Sequence, residues 1–224
     1  MPNIVVLIHT ISHLIGVFDQ LAVDILPGVQ LRHILDEPLA EGIRQRGGLS
    51  ASDSARLWEH FKAAEGIHSR AVLVTCSTLS PLLDNLRPLT PLPLVKINEA
   101  MFIAAAQSGS HLGVLATNPT AILSAQNMVE IEARAMGREI ACEFQLVDGA
   151  FAALLSGKAD EHDNLIRQAV MEISRRVDGV VLAQASMARV LAEMPEDEQR
   201  VPVFSSPRLA LEQVRQLLGE LGWG

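Results

Sequence analysis

Short runs of β-branched and aliphatic residues recur along the whole chain, each followed by a longer amphipathic stretch. A run that is apolar at every position has no face to give to water. It must be buried on both sides, which is the pattern of a parallel sheet covered by crossover helices. The spacing predicts strands at Ile4–Ile8, Gln30–Leu35, Ala71–Thr75, Leu94–Ile97, Leu112–Ala116, Cys142–Val147, Gly179–Ala183 and Pro202–Phe204. Helices fit His13–Ile25, Leu39–Gln45, Ala51–Ala64, Glu99–Ser108, Pro119–Met136, Ala150–Leu155, Asp160–Arg175 and Arg208–Leu221. Gly109 and Gly137 stand where helix C-caps belong, and Ser50 with Asp53 resembles a capping arrangement.

The order of these elements carries a weak internal repeat. Val72 to Leu79 aligns by shape with Val180 to Met187, and Ile34 to Leu39 echoes Leu146 to Phe151. The expected fold class is therefore α/β in two pseudo-symmetric halves, each a four-stranded parallel sheet flanked by helices. The boundaries fall at 1–97 plus 208–224 for the first half and 98–207 for the second. In similar proteins the last segment returns to the first half, and here Leu209, Val214, Leu217, Leu218 and Leu221 fall mostly on one helical face that needs a partner.

Charge narrows the class of partner. The 224 residues carry a formal net charge of −8, which disfavours nucleic acid and anionic membrane surfaces, since both require a local excess of Lys and Arg. No uninterrupted apolar stretch reaches the ~20 residues of a membrane helix. The opening MPNIVVLIHT lacks the basic region and cleavage site of a signal peptide and reads as a buried strand. The two cysteines, Cys76 and Cys142, are too few for a disulfide scaffold, so a reducing, cytoplasmic location is expected.

In open α/β sheets ligands bind beyond the carboxyl ends of the strands. The residues there are His9-Thr10-Ile11-Ser12, Asp36-Glu37, Cys76-Ser77-Thr78 and Asn98-Glu99 in the first half. In the second they are Thr117-Asn118-Pro119-Thr120, Asp148-Gly149, Gln184-Ala185-Ser186 and Ser205-Ser206-Pro207-Arg208. Small hydroxyl and amide side chains dominate. They suit a small polar or carboxylate ligand held by hydroxyls and backbone N–H groups, and singly each is as readily a helix cap.

Cys76 is the sharpest of them. A thiol at a strand-to-helix turn has its acidity raised by the helix terminus and becomes a usable acid or base; the competing reading is a buried structural cysteine. Cys142, at the start of a strand, takes the structural reading. His9 either hydrogen-bonds a ligand or packs in the turn, and His33, inside a strand, is structural. Asp36 and Asp148 read as helix N-caps. The remaining histidines show no metal-ligand spacing, so no metal site is expected, and the lack of GxGxxG or GxxxxGK[ST] weakens a nucleotide-binding reading.

The stretch from Val72 to Thr78, then Gly113-Val114-Leu115-Ala116-Thr117, then Val180 to Ala188 resembles the aspartate/glutamate/hydantoin racemase superfamily, with Asn98-Glu99-Ala100 similar to the step that precedes its second half. The resemblance implies an active site between the halves and no cofactor. One cysteine from each half flanks the acidic carbon of the substrate: one thiolate removes a proton and the other thiol returns one to the opposite face. Homodimers are common among similar proteins.

This chain departs from that pattern at one position. Cys76 occupies the first cysteine place, but Gln184 stands in the second, and an amide neither takes nor gives a proton near pH 7. The expectation is a racemase/isomerase-type enzyme with Cys76 as catalytic residue, acting next to a carboxylate or imide of a small molecule. His9, Thr10, Ser12, Ser77, Thr78, Thr117, Asn118, Thr120, Gln184, Ala185 and Ser186 are the expected binding residues. Decarboxylation or lyase chemistry with one cysteine, racemisation with Asp36, Asp148 or His9 replacing the second thiol, and a non-catalytic ligand-binding protein are the alternatives.

Overall fold

The computed structural model describes residues 3–222. Among these residues eight strands form two four-stranded sheets, parallel throughout. The first contains β1 (Ile4–His9), β2 (Gln30–Leu35), β3 (Ala71–Val74) and β4 (Leu94–Lys96) in the order β2-β1-β3-β4. The second contains β5 (His111–Ala116), β6 (Ala141–Leu146), β7 (Gly179–Leu182) and β8 (Val203–Ser205) in the order β6-β5-β7-β8. The two sheets thus share one strand order, the structural form of the repeat seen in the sequence. The expected class, two four-stranded parallel sheets flanked by helices, is what the chain adopts.

The chain divides into two compact units, residues 1–97 with 207–224, and residues 98–206. In the first unit the helices are α1 (Leu14–Ile25), α2 (Glu37–Arg46), α3 (Ala51–Gly66), α4 (Ser80–Leu86) and, from the end of the chain, the helix spanning Ser206–Glu220. Arg70, just before β3, donates to the Leu221 carbonyl at 2.8 Å. On one face of the sheet, Val6, Ile8, Val72 and Val74 pack against Leu39, Ile43, Leu57, Phe61 and Leu83. These side chains are essentially excluded from water, and burial of this kind contributes roughly 1.5–3 kcal/mol per large aliphatic or aromatic group.

In the second unit the helices are α5 (Glu99–Ser108), α6 (Pro119–Ala135), α7 (Ala150–Leu155), α8 (Ala159–Ile173) and α9 (Ala188–Glu193); the helix Ser206–Glu220 is α10. Leu115, Val180 and Leu182 pack against Ile166, Val170, Ile173, Met187 and Val190. The central strands β1, β3, β5 and β7 are apolar apart from His9 at the end of β1 and His111 at the start of β5, while β2 and β6, which carry several polar residues, are edge strands.

Two helices escape the sequence periodicity, α4 and α9. Each is under eight residues and each follows a 3-10 turn, Ser77–Leu79 before α4 and Ala185–Met187 before α9. Gly109 differs from expectation in its reason. Its φ is −170°, extended rather than left-handed, and a Cβ there would meet the Asp178 Cβ at 2.3 Å. It permits a close approach rather than a cap, and Asp178 uses that approach to accept the Ser110 and His111 amides, each at 2.9 Å. Gly137 does carry a positive φ of 62°. At the start of α3 the Asp53 carboxylate accepts the Ser50 amide at 2.8 Å and Arg46 at 2.7 Å. Among the described residues no helix is long and apolar enough to cross a membrane.

Candidate active site

The registers place the two carboxyl edges in correspondence. Ile8 pairs with Val74 in the first sheet as Leu115 pairs with Leu182 in the second. Beyond each pair the backbone repeats itself: Thr75 N–H donates to Ile8 O at 3.0 Å, and Ala183 N–H to Leu115 O at 2.9 Å. The next turn does the same, with Leu79 N–H to Cys76 O at 3.1 Å and Met187 N–H to Gln184 O at 3.0 Å. Thr10 therefore matches Thr117, Thr75 matches Ala183, and Cys76 matches Gln184, residue for residue.

In the first unit, Cys76 stands two residues beyond β3 with φ −110° and ψ 112°, opening the 3-10 turn. It is half-buried and packs against the core cluster. Thr10 and Ser77 are buried and Thr78 is half-buried. Ser12 is exposed, and its amide donates to Glu37 Oε1 at 3.3 Å. The hydroxyl of Ser80 is buried with no partner among the described residues.

His9, at the end of β1, is fully buried. Its Nδ1 lies 2.9 Å from Thr75 Oγ1 and its Nε2 2.9 Å from His33 Nδ1. Both ring nitrogens are thus engaged within the protein, leaving neither for a ligand. Burial first, then the neighbouring His33, push the His9 pKa down from 6.5 to about 4, with Asp19 opposing. The His9–His33 bond was not visible in the sequence. The signal for it is the register, which pairs Leu7 with His33 and so puts His33 on the face carrying His9.

Asp36 caps α2, accepting the Leu39 amide at 3.1 Å. Its carboxylate also takes Arg56 through Nε and Nη2, both at 2.6 Å, and His60 Nε2 at 2.7 Å. Burial raises its pKa, but the bonds from His60 and Arg56 outweigh this and hold the carboxyl below its ordinary range. Asp148 is exposed and is not the cap of α7; that place falls to Gly149, whose φ is 79°.

In the second unit, Gln184 is buried and its Oε1 accepts the Thr117 N–H at 2.5 Å and the Thr117 hydroxyl at 3.0 Å. Two donors fix which end of the amide is oxygen. The NH2 end makes no hydrogen bond among the described residues. Asn118 caps α6 through its Oδ1, which accepts from Ala121 N–H at 2.9 Å and from the Thr120 hydroxyl at 2.7 Å. These two side chains serve the helix. Ala185 is buried and Ser186 half-buried. Asn98, buried, donates from Nδ2 to the Ala183 carbonyl at 3.3 Å, while its Oδ1 has no partner among the described residues. The sequence reading did not single out Asn98 as a site residue.

Cys142 lies at the start of β6, away from the carboxyl edge, beside an open groove of about 370 Å³ lined by Arg134, Arg138 and Glu130. Burial pushes its thiol up to about 11, so it stays protonated and unreactive at neutral pH. Among the described residues no group of His, Cys, Asp and Glu is arranged to hold a metal ion.

Two four-stranded parallel sheets of one strand order, with a thiol and an amide at matching strand ends, define a class: the doubled α/β fold of the racemases. The Asp/Glu/Hydantoin racemase model matches residues 16–214, and the chain belongs to that family. Among solved structures, a glutamate racemase isoform from Bacillus anthracis superposes with a TM-score of 0.75 at 15% identity, covering 98% of this chain and 83% of that one. Allantoin racemase from Klebsiella pneumoniae gives 0.75 at 17% identity, over 99% and 89%. An aspartate racemase homologue from Pyrococcus horikoshii gives 0.70 at 14%, over the full length of both. These likenesses are of fold. No curated protein matches the chain significantly.

Proposed function

We propose that this protein is a cofactor-independent enzyme of the racemase/isomerase type that moves a proton at the carbon next to a carboxylate or imide of a small molecule, with Cys76 as its single thiol acid–base. The observation that carries this is the structural equivalence of Cys76 and Gln184. One strand end offers a group that exchanges protons, and its counterpart offers an amide N–H donor that cannot.

The chemistry follows from that asymmetry. The Cys76 thiolate takes the α-proton, the electron pair of the C–H bond passes into an enolate, and the thiol returns a proton to the same carbon. The Gln184 NH2, held in place by the two Thr117 donors, donates to the developing negative oxygen; Thr10, Ser12, Ser77, Thr78 and Ser186 supply further hydroxyl donors, and Asn118, Thr120 and Ala185 backbone N–H groups. With one acid–base group the proton leaves and returns on one face, so exchange outpaces inversion. Neither residue suggested as a substitute for the second thiol supports two-base racemisation in the first unit. Asp36 is spent on Arg56, His60 and the helix cap, and His9 on Thr75 and His33. The same geometry serves a decarboxylase, in which the Cys76 thiol protonates the enolate left by loss of CO2.

The test is deuterium incorporation at the α-carbon in D2O, read by NMR over amino acids, hydantoins and small diacids. Wild type and Cys76→Ala are run side by side, with thermal shift reporting binding. Exchange or CO2 release that disappears in Cys76→Ala supports the reading and names the substrate class. Ligands that bind without exchange in any case would replace it with a non-catalytic binding role.

A further inference from the structure

A chain of hydrogen-bonded side chains that the proposed chemistry leaves unused, buried at one end and open to solvent at the other, crosses the first sheet. Thr75 Oγ1 lies 3.0 Å from the Ile8 carbonyl and 2.9 Å from His9 Nδ1. His9 Nε2 lies 2.9 Å from His33 Nδ1, and His33 Nε2 lies 3.1 Å from Asp19 Oδ1. The two rings stack at 23° with centroids 5.1 Å apart, and Phe18 tilts onto His9 at 5.7 Å. The inner end is sealed, with His9 at 0% exposure, while the Asp19 side chain at the outer end is 56% exposed.

One hydroxyl proton cannot serve both partners of Thr75, and this allows two complete registers. In the first, Thr75 donates to His9 Nδ1, His9 Nε2–H donates to His33 Nδ1, and His33 Nε2–H donates to Asp19. In the second, Thr75 donates to the Ile8 carbonyl, His9 Nδ1–H donates to Thr75, His33 Nδ1–H donates to His9 Nε2, and His33 Nε2–H again donates to Asp19. The second holds one proton more than the first. Between the two, Thr75 keeps its one proton and turns it to the Ile8 carbonyl, His9 passes from the Nε2–H to the Nδ1–H form, and His33 gains a proton at Nδ1. The proton taken up comes from solvent at the exposed Asp19 end, and the added charge rests on His33 against the Asp19 carboxylate. No ring need turn.

We propose that His33 and Asp19 are positioning residues acting through His9 on Thr75: the uptake of one proton reverses the hydrogen bonds among Thr75, His9 and His33 and turns the Thr75 hydroxyl, one residue from Cys76, between His9 and the Ile8 carbonyl. The charge rests on His33 because His9 is buried without an anion, whereas His33 touches one. Other charged groups on neighbouring elements are already committed. Arg32 on the same strand bonds Gln30 and the Leu31 carbonyl. Glu37 accepts from Ser12. Asp36, Arg56 and His60 bond one another, and on α10 Arg208 pairs with Glu212. The functional meaning of the switch rests on the proposed role of Cys76; its existence does not.

The test is the tautomer of His9, read from long-range 1H–15N spectra of histidine-labelled protein between about pH 4.5 and 8.5, the span over which histidines ordinarily titrate. The expected result is a neutral His9 that changes from the Nε2–H to the Nδ1–H form as His33 becomes doubly protonated, with one shared midpoint. Asp19→Asn, at the exposed end of the chain, moves that midpoint to lower pH, and Thr75→Val abolishes the tautomer change. A His9 that keeps one tautomer while His33 takes up its proton, or that becomes cationic in place of His33, overturns the proposal. If α-proton exchange is found, its pH profile carries the same midpoint in wild type and shifts with it in Asp19→Asn. A profile unmoved while the tautomer midpoint moves refutes the link to Cys76. Absence of exchange leaves the tautomer result standing by itself, so failure of the enzymatic reading and failure of the switch are told apart.

Discussion

His9 makes the stability of this protein depend on pH in a calculable way. Burial, reinforced by His33 and opposed by Asp19, lowers its pKa from 6.5 to about 4. Between those values the unfolded chain binds a proton that the folded one refuses. Stability from this group is therefore fully present above the unfolded value and is lost as pH falls toward 4. Integrating the linkage relation from pH 7 to 4.5 gives a loss of about 2 kcal/mol. The matching perturbation is His9→Gln, which removes the titrating ring. At pH 7 the variant is less stable by about 1–3 kcal/mol, because bonds to Thr75 and His33 are weakened in a site closed to water. Urea unfolding of both proteins across this range then shows the gap closing by about 2 kcal/mol as pH falls. The lowered carboxyls of Asp36 and Asp53 lose their contributions at lower pH still, and equally in both proteins. Stability curves that run parallel from pH 7 to 4.5 would show that the buried His9 ring is not the group that titrates.

Other perturbations probe other contacts. Lys96 in β4 is buried at 3% exposure and its Nζ pairs with Asp84 of α4 at 2.6 Å. Asp84→Ala leaves that ammonium buried without its anion, with an expected loss of about 2–3 kcal/mol by denaturant titration, and an unchanged midpoint would show the pair to be inert. Gly109→Ala must displace Asp178 and disturb the amide bonds it accepts, lowering stability by about 1–3 kcal/mol; wild-type stability would contradict the close approach. Gln184→Leu strips Thr117 of its acceptor and the ligand of an N–H donor. Calorimetry should show ligand affinity falling at least about tenfold, the loss of one such bond, and undiminished affinity would remove Gln184 from the site. Gln184→Cys, placing a thiol at the position equivalent to Cys76, is expected to add inversion to exchange when the product is resolved by chiral chromatography.

How much of this was legible beforehand depends on what each element needed. The central strands β1, β3, β5 and β7 must be apolar on both faces, so their sequences announce them, and the doubled strand order follows from matching Val72–Leu79 with Val180–Met187. The same match put Gln184 in the place of Cys76, and the registers Ile8–Val74 and Leu115–Leu182 give the geometric form of that correspondence. Helices α4 and α9 were missed because each is short and opens out of a 3-10 turn, whose three-residue period blurs the helical pattern; α7, equally short, follows a glycine directly and was legible. Asp36 was read as a cap, which it is, but its bonds to Arg56 and His60 join residues 20 and 24 positions away that only tertiary folding brings near. His33 looked like a strand residue with nothing to do. Its bond to His9 needs β1 and β2 to be neighbours in one register, which sequence spacing alone does not specify. Asp148, alike in sequence context to Asp36, stays exposed because Gly149 takes the cap position instead.

The central claim is that Cys76 alone carries the proton. It is tested most directly by following deuterium incorporation and configuration together, for the ligand that exchanges fastest in D2O, with wild type and Cys76→Ala. The expected result is that wild type incorporates deuterium at the α-carbon while configuration is largely retained, and that Cys76→Ala binds the ligand but incorporates none. Exchange that survives in Cys76→Ala, or wild-type inversion as fast as exchange, would contradict it.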